Sequence, residues 1–102
     1  MSTSQEIVER LDLEYDLSEG FLGRLRSGIF DPKGKERLLG LLNSMELENG
    51  PVDMSLVRHL WFLPIFIQWQ KERFEYENRN AELVESTLTE VVNVLTEVVG
   101  VP

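Results

Sequence analysis

Between Arg58 and Lys71 the chain runs twelve residues, His59 to Gln70, without a formal charge. Trp61 and Trp69, the two tryptophans, lie in this run, and six of the nine aromatic residues fall between Trp61 and Tyr76. Each aromatic side chain carries on the order of 150–250 Å² of surface, so this segment must organise the core, a contact surface, or both. Pro64 lies in its middle. Proline lacks the N–H that an inner helical turn uses, and it pushes the preceding residue out of the α region. The pattern therefore predicts a central helix broken at Pro64.

At helical spacing Leu56, Leu60, Leu63 and Ile67 form one stripe, Phe62, Phe66 and Trp69 a second, and Trp61 and Ile65 a third. A helix apolar on all sides must be covered on all sides. A domain of this size has limited chain with which to surround it. Either the segment is the centre of a compact bundle, or another molecule covers one side.

The flanking sequence supplies further helices. Ser4 can cap a first helix that buries Ile7, Val8 and Leu11. Ser18 can cap a second through Phe21, Leu22 and Leu25, with Gly28 as its stop and Gly23 as a point of close approach. Asp31-Pro32 starts a third, whose apolar face is Leu38, Leu39, Leu41, Leu42 and Met45. Asp53 or Ser55 caps the aromatic segment. Asn80 caps a last helix in which Val84, Leu88, Val91, Leu95 and Val98 step by four and three. The expectation is a single all-α domain over residues 1–102, a compact bundle of about five short helices. Strict alternation at 11–17, and the Asn49-Gly50 turn within 45–54, carry a competing signal for a minor β element.

The formal charge of −8 is uneven. Residues 24–37 are basic, with Arg24, Arg26, Lys33, Lys35 and Arg37 against two acids, while both flanks are acidic. An acidic molecule repels nucleic acid and anionic lipid and attracts basic partners. The basic run then either docks on a second copy or neutralises the protein's own acidic helices. With no cysteine there is no disulfide framework or thiolate site, which fits a cytoplasmic setting. The polar start Met1–Glu6 lacks the features of a signal peptide, and the apolar run is too short to span a membrane.

Motifs for catalysis are missing. No phosphate-binding G-K-[ST], G-x-S-x-G or H-E-x-x-H occurs. His59, the one histidine, has Phe62 and Leu63 where a helical acid would sit. The pairs Glu72/Glu75 and Glu82/Glu85 would need to face each other to hold Mg²⁺ or Mn²⁺. The expectation is therefore no enzyme, cofactor or metal, but a protein-binding module. One form is a stoichiometric inhibitor of a basic partner, of the immunity-protein or antitoxin kind, using Trp69, Glu72, Glu75, Tyr76 and Glu77 where aromatic and acidic stretches meet. The alternatives are a homodimeric adaptor sealed through 56–69 or 84–99, and a carboxylate–metal enzyme.

Overall fold

The computed structural model describes residues 4–45 and 52–100, which form five helices. These are α1 (Ser4–Leu13), α2 (Phe21–Arg26), α3 (Pro32–Asn43), α4 (Met54–Tyr76) and α5 (Glu82–Val99). The long α4 packs against α1, α2 and α5, and α3 closes the bundle against α5 and α2. The all-α bundle expected from the sequence is what forms.

Pro64 does not break the central helix: α4 runs through it for 23 residues. An interior proline costs about 3 kcal/mol. Against that, Leu56, Leu60, Leu63, Phe66, Ile67 and Phe74 are all buried on the inner side of the same helix. Each buried side chain of this size contributes about 1.5–3 kcal/mol, so packing outweighs the lost hydrogen bond. Pro64 itself lines an open groove beside α5 rather than the core.

The competing strand signal at 11–17 is not realised. Residues up to Leu13 are helical, and turns follow. Ile7 and Leu11, four apart, are buried together, and this helical period overrides the alternation. Of the candidate hairpin at 45–54, residues 46–51 lie outside the described residues, and Met54 opens α4. No strand occurs among the described residues.

Two helix starts carry the side-chain caps the sequence predicts, while Asp31 stands at the start of α3 without a cap bond, its Oδ2 accepting from Arg24 instead. Asp53 Oδ1 accepts the Ser55 N–H at 2.8 Å, and Asn80 Oδ1 accepts the Glu82 N–H at 2.9 Å. The first turn of α2 is served not by Ser18 but by buried Glu14, whose Oε1 accepts the Phe21 N–H at 3.0 Å. Ser18 instead donates to Asp16 Oδ2. Bonds from the Glu19 N–H, the Ser18 hydroxyl and the Ser18 N–H hold the Asp16 carboxyl below the usual range.

Arg37 grips Glu14 with two bonds of 2.7 Å, and this pairing raises the guanidinium pKa against the opposing effect of burial. Gly23 lets α2 lie on the preceding turn: a Cβ there would sit 2.0 Å from the Asp16 carbonyl oxygen. The basic run largely neutralises the protein's own acids. Arg24 meets Asp31 at 3.1 Å, Lys35 meets Glu90 at 2.6 Å and Arg37 meets Glu14 at 2.7 Å.

Candidate functional site

The inner and outer sides of α4 are built from different residues. Inside, the stripe Leu56, Leu60, Leu63 and Ile67 is buried as its spacing predicts. Outside, Met54 (61% exposed), Trp61 (68%), Trp69 (53%) and Tyr76 (89%) recur along one face, with exposed Val57 and partly covered Ile65 between them. Their spacing keeps them within one stripe of the helix surface. At 1.5 Å per residue that stripe is about 33 Å long. The segment that was apolar all round is thus enclosed on one side and bare on the other.

The five residues singled out in the sequence are all exposed, and the structure divides them. Trp69, Glu72 and Tyr76 share the outer face of α4. Glu75 turns to one flank and meets Lys71 at 3.5 Å. Glu77 caps the other end of the helix and lies 3.5 Å from both Arg73 and Arg79. Those two arginines also donate to the carbonyls of Arg26 and Gly28, which ties the end of α4 to the turn after α2. Glu72 alone of the three acids has no cation, only the Gln68 amide at 3.2 Å. The acidic cluster read from the sequence is therefore mostly compensated within the chain.

Two concave surfaces flank the stripe. Between α1 and α4 lies a hollow of about 480 Å³, lined by Val8, Tyr15, His59 and Phe62 among others. Between α4 and α5 lies a groove of about 450 Å³, with Leu60, Pro64, Val92, Leu95 and Val99 in its walls. Trp61 borders both, as a ridge between them. Trp69 is steadied by Phe62, edge to face at 5.5 Å.

His59 gains the acidic neighbour that its own helix lacks. Asp12 of α1 places Oδ1 2.8 Å from its Nε2. Such a pair can orient an imidazole, and in a nucleophile–base arrangement the other ring nitrogen would face the nucleophile. Ser55 borders the same hollow, and its hydroxyl makes no hydrogen bond to His59. Nearby, the Tyr15 hydroxyl is buried without a partner. Burial first, and the Asp12 charge second, push its pKa up to about 12. These groups brace α1 on α4.

The Glu72/Glu75 and Glu82/Glu85 pairs are not gathered into one cluster. Among the described residues no three His, Cys, Asp or Glu side chains gather where they could hold a metal ion. Among the same residues no helix is long and apolar enough to cross a membrane. The outward register of Met54, Val57 and Arg58 went unread in the sequence, although a period of three and four continues the aromatic stripe back through them. No protein-family model, curated protein or solved structure matches the chain.

Proposed function

We propose that the chain is a non-catalytic protein-binding module that docks on protein surface through the outer face of α4. One observation carries this: both tryptophans point out of a bundle whose core is filled by leucine, isoleucine, valine and phenylalanine. Leaving tryptophan in water forfeits the largest hydrophobic gain any side chain offers. Contiguous exposed apolar area of this kind usually marks an interface, and aromatic anchors dominate interface energetics. The absence of cysteine suits a cytoplasmic setting.

An inhibitor of a basic partner, of the immunity-protein or antitoxin kind, needs acids free to meet that partner. Glu75 and Glu77 are engaged by Lys71, Arg73 and Arg79. The acids without an ion-pair partner include Glu72 on α4 and Glu82, Glu85 and Glu97 on α5, a helix with no lysine or arginine. A basic partner would therefore be steered by α5 while its apolar contacts fall on α4.

Site-resolved photo-crosslinking in the cells that express the protein tests the docking face. A photoreactive amino acid at Trp69 should yield a discrete crosslink to protein. The same residue at exposed Thr89, on α5, should yield none. Equal yields from both positions, or none from Trp69, would refute the assignment.

A further inference from the structure

We infer that the occupant of this face is a second copy of the chain, with the two α4 helices antiparallel about a two-fold axis through Ile65. The inference rests on the docking role proposed for α4 and names its partner. The evidence is the order of residues along the stripe. Arg58 and Glu72 stand seven residues before and after Ile65, about 10 Å along the axis on either side. Trp61 and Trp69 stand four before and four after it, and Met54 and Tyr76 eleven before and eleven after.

A two-fold axis through Ile65 sets each residue opposite its counterpart in the other copy. Arg58 then meets Glu72, Trp61 meets Trp69, and Met54 meets Tyr76. An isologous interface requires this self-complementarity, with every contact made twice. Charge selects the direction. Parallel helices would set Arg58 against Arg58 and Glu72 against Glu72. The antiparallel arrangement sets opposite charges together at both ends of an aromatic centre.

The two charges are available for this. Arg58 is exposed and has no ion-pair partner among the described residues. Glu72 has no cation either. Other charges on α4 are engaged within the chain: Lys71 with Glu75, and Arg73 with Glu77. The area is also suitable. The exposed parts of Trp61, Trp69 and Tyr76 leave on the order of 400 Å² open. That is about half of the ~800 Å² per partner that a standard interface buries. Met54, Val57 and the groove wall of Val92 and Val99 supply exposed apolar surface for the remainder.

Sedimentation equilibrium on the intact protein tests the arrangement, with Arg58→Glu, Glu72→Arg and the double exchange. The wild type should be a dimer. Each single reversal creates two like-charge contacts and should weaken the dimer about tenfold or more, and the double exchange should restore most of the loss. Circular dichroism serves as the folding check, because both side chains are exposed. Independently, Ile65→Cys should give a rapid disulfide-linked dimer in this cysteine-free chain, and Thr89→Cys should not.

A monomeric wild type would overturn the inference. So would a dimer that neither reversal weakens, or an Ile65→Cys chain that does not crosslink to itself. If the wild type is monomeric and photo-crosslinking at Trp69 captures a different protein, the second copy is refuted and the docking face survives. If neither is seen, both fail.

Discussion

The two sides of α4 share a backbone and differ in what they spend their apolar side chains on. The inner side is mainly aliphatic and buried: Leu56, Leu60, Leu63 and Ile67 pack toward the neighbouring helices, with Phe66 and Phe74. The outer side holds both tryptophans and Tyr76, all exposed. Hydrophobicity alone would put the tryptophans inside, since they have most to gain from burial. Their exposure leaves most of that gain unrealised within the chain. A bundle of this length has little chain left to cover a third side of its longest helix, and the uncovered side is where the large aromatics stand. Apolar periodicity therefore locates a helix without saying which of its stripes the chain itself covers.

If the inner side supplies the fold, Ile67→Ala should be among the most damaging changes on α4. It removes a fully buried side chain, and the expected loss is about 2–5 kcal/mol in denaturant unfolding. A loss under about 1 kcal/mol would erase the distinction between the two sides.

A smaller effect belongs to the seam between α1 and α4, where Tyr15 sits edge-on against Phe66 with centroids 5.2 Å apart. Its pKa is raised from 10.0 to about 12, so the fold favours the protonated phenol. The stabilising contribution is complete below about pH 10 and is lost as pH rises from about 10 through about 12, where the unfolded chain ionises first. The side chain is part exposed, which makes the slope shallow. Unfolding followed by circular dichroism should show that slope in the wild type, and Tyr15→Phe should flatten it. A Tyr15→Phe slope equal to the wild type would mean that the phenol is not shielded by this seam.

Much of the fold was legible because it rests on local chemistry. The Asp53 and Asn80 caps, the Asp31-Pro32 start and the stripe at 56, 60, 63 and 67 all act within a turn or two of helix. What was not legible depends on partners distant in sequence. Pro64 reads as a break until the combined burial along α4 is set against its cost. Glu14 looks like one more surface acid, yet it caps α2 and holds Arg37, 23 residues away. His59 lacks an acid on its own helix and finds one at Asp12 of α1.

The candidate site was legible in part, for the same reason. Trp69, Glu72 and Tyr76 do share a face, as helical spacing requires. The pairing of Glu75 with Lys71 was also readable at four-residue spacing. So was that of Glu77 with Arg73, and the fold adds Arg79 as a second cation on Glu77 and the anchoring of both arginines on the turn after α2. It also adds that the stripe extends back through Trp61 to Met54.

The most direct measurement is the unfolding free energy of Trp61→Ser/Trp69→Ser, compared with the wild type at protein concentrations low enough to suppress association. The tryptophans that serve binding should cost the isolated fold little. The double variant should lose no more than about 1.5 kcal/mol, the upper end of the worth of the Trp69–Phe62 edge contact. A loss as large as that from Ile67→Ala would place both tryptophans in the core and contradict the assignment of the outer face of α4 to a partner.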